Sequence, residues 1–444
     1  MIHLRLHDTP LGTMLRQGTQ TSDNTDKLAL LGLLLFALCA APLTNVAGLG
    51  LLVLLAAFIV SKKKITNWHD PIVRLMLAML LYLPISILIG WQLHPHRLSE
   101  HLSHALYILS LPLFTILVAW ALKGNIARIR LMLAAALCGY IFAITTPLLI
   151  GDVSWSAFLS GERNRMMFGH PIRLGLYSAT VLLALLLWMP VWRTLEPRRL
   201  ILVGCYMLLL LITVQALIVA QARVSWIASA AVIPTILLAR LWLIPRTPKL
   251  DTRYSLALLL PGLLLIATVV FFHHGTIEDR LSSESATIQA AMQGEDVEFN
   301  SFGIRVHMWR LGLEKIIERP WFGHGPGSVP EYLSLAKYPL NNYSHMHNTL
   351  IDLLVRTGII GILLVATFFI LLFYALSHTW RMGIMDRVLI LFSAGALLLF
   401  LIDSLTGYPI SRTQGRFFIA IIGGVAYSGF LYHRHTSSSN TSQR

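Results

Sequence analysis

Residues 345–376 read HMHNTLIDLLVRTGIIGILLVATFFILLFYAL, and the reading of this stretch decides the fold. Its second part is apolar and long enough, at about 1.5 Å per helical residue, to cross the ~30 Å of bilayer hydrocarbon. Its first part is amphipathic and opens with two imidazoles, His345 and His347. The stretch therefore predicts a membrane-crossing helix with histidines at its mouth.

The rest of the chain repeats the second part of that pattern. Of 444 residues, 56% are hydrophobic and only 13% are charged, too little charge to clothe a soluble protein of this size. The mean hydropathy is +0.68. The apolar runs are continuous and leucine-rich instead of alternating with period two, which excludes a β-barrel. The fold class expected is an all-α polytopic membrane protein with about 12 transmembrane helices. The spans fall near 28–46, 47–61, 71–93, 103–122, 131–150, 172–192, 199–219, 224–243, 254–272, 354–376, 388–403 and 417–432. The first two are separated only by LTNVAG and form a tight hairpin.

Orientation follows from the connections. SKKKITNWHD, KGNIARIR, RTLEPRRL, RLWLIPRTPKLDTR and SHTWRMGIMDR are short and basic, and short basic loops stay in the cytoplasm. The same rule accounts for most of the formal charge of +14, so the basic balance does not point to nucleic acid. The expected organisation is a cytoplasmic tail over 1–27, nine spans within 28–272, one large periplasmic loop over 273–346 between the ninth and tenth spans, three further spans within 347–432, and a cytoplasmic tail over 433–444. The polar first 27 residues do not read as a signal peptide. Cys39, Cys138 and Cys205 each lie inside an apolar run and read as small core residues.

The large loop opens with FFHHGTIEDRLSSESATIQAAMQGEDVEFN, read as an exposed helix and a glycine-containing turn. Beyond it, Ile304, Met308, Leu311 and Ile316 keep helical spacing, with Arg319-Pro320 as a stop and WFGHGPGS as a glycine- and proline-rich loop.

Four places on the external side hold more polar groups than topology requires. GERNRMMFGHPIR carries Arg163, Arg165 and His170; the short turn in IVAQARVSWIA carries Arg223; GIRVHMWR carries Arg305; and the opening stretch carries His345 and His347. Arginines at such positions also snorkel to headgroups or face water. Delivered together to one face, guanidinium groups match phosphate oxygens, and an imidazole beside them suits general-base work. No DxD occurs in the chain. His345 and His347 with His307 and His324 fit no usual zinc spacing, so no metal and no cofactor is expected. Asp152, Glu162, Glu278 and Asp279 are the acidic residues that could still hold a cation.

The motifs resemble a known family. His347-Asn348, nine residues, Gly358, two residues and Gly361 fit the pattern H-[N/S/Q]-x9-G-x-x-[G/T/Y] of the bacterial O-antigen ligases and related O-oligosaccharyltransferases. RVHMWRLGLEKIIERPWFGHGPGS is similar to the family's Arg…Trp…Pro-x-x-Gly-x-Gly stretch, through Arg305, Trp309, Pro320, Gly323 and Gly325. The turn at Arg223 resembles its Arg-x3-Leu element, with Ile227 at the leucine position. The resemblance implies a fold like that of the GT-C glycosyltransferases. It also implies metal-independent, inverting transfer of O-antigen from undecaprenyl diphosphate to lipid A-core, at the periplasmic face of a Gram-negative inner membrane. His347 would be the catalytic base. Arg163, Arg165, Arg223, Arg305, His345 and Asn348 would bind the diphosphate and substrate. Gly358 and Gly361 would allow close helix packing beneath His347. An O-antigen polymerase and a protein O-oligosaccharyltransferase share these motifs. A lipid-linked glycan flippase would spread its charges along several spans, which this sequence does not do.

Overall fold

A computed structural model describes residues 23–61, 69–188, 197–243, 266–267, 269–282, 285–293, 297, 299–337 and 339–441. The regular elements are helices, and no strand occurs among the described residues. Among the described residues seven helices are long and apolar enough to cross a membrane: Pro71–Leu93, Pro95–Leu122, Ile126–Leu149, Ile201–Val219, Arg223–Leu243, Thr349–Met382 and Thr413–Arg434. The chain is thus an all-helical, multi-pass membrane protein. The ninth expected span, 254–272, lies mostly outside the described residues, as do residues 1–22 of the expected N-terminal tail.

The chain divides into two compact units, one of Met1–Phe142, His307–Asp386 and Gly407–Arg444, the other of Ala143–Val306 and Arg387–Thr406. The first begins with a hairpin of α1 (Asn24–Cys39) and α2 (Thr44–Val60). The hairpin turns at residues 40–43, a few residues earlier than expected, because Pro42 cannot continue a helix. Gly32 and Gly50 bring the two backbones together; a Cβ on Gly50 would lie 2.6 Å from the Phe36 nitrogen.

The hairpin is followed by α3 (Pro71–Leu93), α4 (Leu98–Leu122) and α5 (Ile126–Leu149), the last running across the unit boundary. Asp70 caps α3 by accepting from the Ile72 amide at 2.9 Å, and it also accepts from the Tyr427 hydroxyl at 2.9 Å. Tyr427 belongs to α16 (Thr413–Thr441), which passes the expected end of the last span. This helix is the axis of the first unit, and nearly all of its apolar stretch is buried. At its start, Gln414 donates to the Ala41 carbonyl at 2.7 Å and so holds the α1–α2 turn.

The second unit contains a short α6 (Trp155–Leu159), α7 (Pro171–Leu187), α8 (Pro197–Val219) and α9 (Arg223–Leu243). It also contains α10 (His274–Ser282), α11 (Ser285–Gln293) and α15 (Arg387–Asp403). The stretch expected to hold one exposed helix and a turn therefore holds two short helices among its described residues. Inside this unit Ser225 of α9 donates to Asp403 of α15 at 3.3 Å, both side chains being buried. A Cβ on Gly175 of α7 would sit 2.5 Å from the Ser225 hydroxyl, so that glycine is what lets α7 lie against α9.

Between the units in sequence runs α12 (Ser301–Glu318), which covers the helical spacing read from Ile304 to Ile316 and ends at the Arg319-Pro320 stop. The loop continues through α13 (Val329–Ser334) to α14 (Thr349–Met382).

Candidate active site

The histidine stretch stands at the N-terminus of α14. Asn348 caps that helix, its side-chain oxygen accepting from the amides of Leu350 at 2.9 Å and Ile351 at 3.2 Å. His347, one residue earlier, takes a left-handed backbone with φ of 49°, a region a residue with a Cβ enters only when its surroundings hold it there.

A buried ion pair supplies that hold. Arg356 and Asp352, one helical turn apart on α14, have side chains fully withdrawn from solvent and are joined through the Arg356 Nε. The other oxygen of Asp352 accepts from the Met346 amide at 2.6 Å. Arg356 Nη2 donates to the Ser344 carbonyl at 2.8 Å and Nη1 to the Pro326 carbonyl at 2.5 Å. The pair therefore clamps the chain on both sides of His345 and ties it to the glycine- and proline-rich loop. Trp309 of α12 completes the fixing of Met346, donating from its indole to that carbonyl at 3.0 Å.

Within the clamp the two histidine rings lie 4.2 Å apart at 69°, and the His347 amide donates to His345 Nδ1 at 3.2 Å. Tyr343 and Tyr408 flank them, at 5.6 Å from His347 and 6.4 Å from His345 between ring centroids. Arg356 lies over the Tyr408 ring at 5.4 Å. Arg416 stacks on Tyr107 at 4.0 Å and donates to the carbonyls of Ile410 and Ser411.

Gly358 of the motif does more than allow a close approach, although a Cβ on it would lie 2.4 Å from the Trp321 carbonyl. Gly358 has φ of 60° and ψ of −166° and breaks α14 into segments 349–357 and 359–382. The backbone groups freed by the break are taken up by the loop. The amides of Ile359 and Ile360 donate to the carbonyls of Pro320 and Trp321 at 2.8 and 3.2 Å, and the His324 amide donates to the Val355 carbonyl at 2.9 Å. The Tyr82 hydroxyl of α3 donates to the Thr357 carbonyl. Gly323, with φ of 67°, permits the contact, since a Cβ there would lie 2.7 Å from the Arg356 carbonyl.

Next to this seam, His324 donates from Nε2 to the Lys315 carbonyl at 2.8 Å, so its Nδ1 is the bare nitrogen and accepts from the Tyr332 hydroxyl at 2.8 Å. The Tyr332 oxygen in turn accepts from His94 at 3.2 Å. Burial holds His324 below its usual value of 6.5.

The arginines read from sequence belong to the second unit. Arg163 and Arg165 are exposed, while Arg223, the first residue of α9, and Arg305 of α12 are half-buried. The structure joins the first two sites. The Asn164 amide donates to the Val219 carbonyl at 3.0 Å and the Gln221 side chain to the Gly161 carbonyl at 3.0 Å, which fixes the Arg163–Arg165 loop against the turn before Arg223. His170 caps α7, its Nδ1 accepting from the Ile172 amide at 3.2 Å. Among the described residues no group of three or more His, Cys, Asp or Glu side chains is arranged to hold a metal ion.

Residues 207–366 match the family described as O-Antigen ligase. The resemblance to the O-antigen ligase superfamily is thereby shown. The matched segment of this O-antigen ligase-like chain contains Arg223, Arg305, His345, His347, Asn348, the Asp352–Arg356 pair and the Gly358 break; Arg163 and Arg165 lie outside it. A comparison with curated proteins gives no match.

Sequence reasoning missed Asp352, Arg356, Tyr82 and Tyr408. A signal for the first two was present, because opposite charges at i and i+4 within an apolar helix mark a pair that must be satisfied internally.

Two outcomes follow from the clamp and the seam. Arg356→Met leaves Asp352 buried without its partner and should cost about 3–5 kcal/mol. Arg356→Lys should recover only part of that loss, since an ammonium cannot reach three acceptors in the guanidinium plane. Thermal unfolding of the detergent-solubilised variants measures both. The second outcome concerns pH. Because the folded pKa of His324 is depressed, its contribution to stability is complete above about 6.5 and declines as the pH falls from there toward the folded value. Melting temperature should drop as the pH falls below about 6.5, and His324→Gln should flatten that slope.

Proposed function

We propose that this chain is an inverting glycosyltransferase that moves O-antigen from undecaprenyl diphosphate to lipid A-core, at the periplasmic face of the bacterial inner membrane. The observation that carries the reading is His347, held in a left-handed turn by a buried ion pair within the segment matched by the O-antigen ligase family. In this reading both termini are cytoplasmic, and the loop over 273–346 is periplasmic, with twelve spans in all.

The chemistry divides between two residue types. The acceptor hydroxyl is a weak nucleophile, and His347 takes its proton as the oxygen attacks the anomeric carbon. The bond from that carbon to the diphosphate oxygen breaks on the opposite face, which inverts the centre. The departing diphosphate is already a good leaving group and needs its charge stabilised, a task assigned to Arg163, Arg165, Arg223 and Arg305. His345, whose ring lies 4.2 Å from that of His347, and Asn348, which caps the helix N-terminus, are assigned to binding the substrate. Guanidinium groups replace a carboxylate-held cation in this scheme, so no metal is needed.

The test is a reconstituted transfer assay with a carrier-linked glycan and, in separate reactions, lipid A-core, a second carrier-linked glycan or pilin as acceptor, all with EDTA. Product on lipid A-core alone is expected; product on the second carrier-linked glycan would make the protein a polymerase, and product on pilin a protein O-glycosylating enzyme. Activity lost in EDTA and restored by one divalent cation would sink the arginine-only mechanism. In the same assay His347→Ala should lower the rate at least ~10²-fold, the usual worth of a general base. Arg223→Lys should be nearly as inactive as Arg223→Ala, because an ammonium cannot grip two phosphate oxygens; full activity of the lysine variant would assign Arg223 to the lipid headgroups instead.

A further inference from the structure

The surface of the first unit carries an apolar edge that the proposed chemistry does not use. Leu313 and Ile317 lie four residues apart on α12 and Trp321 follows at the same interval, with exposures of 54%, 79% and 62%. Phe322 beside them is 43% exposed. The other side of this half of α12 is packed; Gly312 is buried, and a Cβ on it would meet the Ile351 side chain at 2.5 Å.

What lies against the edge follows from the seam at Gly358. The carbonyls of Pro320 and Trp321 accept from the amides of Ile359 and Ile360, so Trp321 is level with the first residues after the break. From there residues 359–377 carry no charged side chain, and at 1.5 Å per residue they are about 28 Å long, the thickness of bilayer hydrocarbon. Leu363 and Ile370 on that segment face outward, at 59% and 64% exposure. The break therefore sits at the edge of the hydrocarbon, and the apolar edge of α12 sits at the depth where tryptophan concentrates in membrane proteins. Exposed Arg319 and the Lys315–Glu318 pair, at 2.6 Å, supply the polar neighbours an interfacial helix needs.

We propose that Leu313, Ile317, Trp321 and Phe322 dock into the headgroup–acyl boundary of the bilayer, and that α14 enters hydrocarbon at Ile359. The occupant of this surface is lipid. Residues 349–357 then stand clear of the hydrocarbon as helix, which places His347 outside it, at most about 15 Å above its edge. That height suits attack on the sugar of a carrier whose diphosphate lies among the headgroups. This last step rests on the transferase reading, whereas the docking itself does not.

The experiment measures depth and needs no activity. In a chain with Cys39, Cys138 and Cys205 replaced by alanine, Ile317→Cys and Trp321→Cys receive a nitroxide label in phosphatidylethanolamine–phosphatidylglycerol vesicles. Leu363→Cys serves as the hydrocarbon reference and Asn342→Cys, exposed in the segment before the histidines, as the aqueous one. The ratio of oxygen to nickel-chelate accessibility should be several-fold higher at positions 317 and 321 than at 342, and should approach that at 363. A ratio equal to that at 342 would overturn the proposal. Shielding of both labels from both reagents would overturn it as well, because protein, such as a second copy of the chain, would then cover the edge. All four substitutions are at exposed positions, so the labelled chains should fold as the parent does.

Discussion

The Asp352–Arg356 pair is the interaction on which the arrangement of the first unit's loops depends. A guanidinium with no solvent exposure must have its donors met inside the protein, since an unpaired buried charge costs several kcal/mol. Here the acceptors are a carboxylate on its own helix and two carbonyls, Pro326 and Ser344, from different parts of the loop. The planar fork fixes the directions in which those carbonyls must lie. The carboxylate is in turn used twice, because its second oxygen receives the Met346 amide. A demand for charge neutralisation thus becomes a constraint on the backbone around His345 and His347.

A second constraint acts where the helix breaks. An interrupted helix near a membrane is tolerable only if other protein groups satisfy its freed amides and carbonyls. The backbone of residues 320–324 and the hydroxyl of Tyr82 do this at Gly358. The loop is consequently part of α14 in the hydrogen-bonding sense, although it lies tens of residues away in sequence. The two constraints reinforce each other, for Arg356 holds Pro326 only two residues beyond His324, whose amide closes the seam.

Hydropathy made the class of fold legible, because each span is a local property of about twenty residues. The helix from Ser301 to Glu318 was legible for the same reason, in its spacing and its proline stop. The hairpin turn was displaced from LTNVAG to residues 40–43 because apolar content ran through the turn, and Pro42 was the better marker. His347, Arg223 and Arg305 stood out in the sequence because each lies in a short polar connection or a motif. Arg356 was not, since it lay inside what read as an uninterrupted span, and its acceptors at positions 326 and 344 are set by tertiary structure. Gly358 was read through its small size, and the fold uses both that and its positive φ, since a Cβ there would lie 2.4 Å from the Trp321 carbonyl.

Together these constraints give a physical meaning to the spacing in the histidine motif. Nine residues separate Asn348 from Gly358, about two and a half turns of helix. One end is fixed by the cap on Asn348 and the other by the seam to Pro320 and Trp321. Within that length Asp352 and Arg356 sit one turn apart on a single face. One added residue between the cap and the break would rotate everything beyond it by about 100° and advance it about 1.5 Å. An insertion before Arg356 would swing the guanidinium away from its carbonyls, and one after it would swing the seam away from the loop. The nine-residue interval therefore acts as a ruler between the imidazole and the loop, and a chain that keeps both ends of it must keep its length.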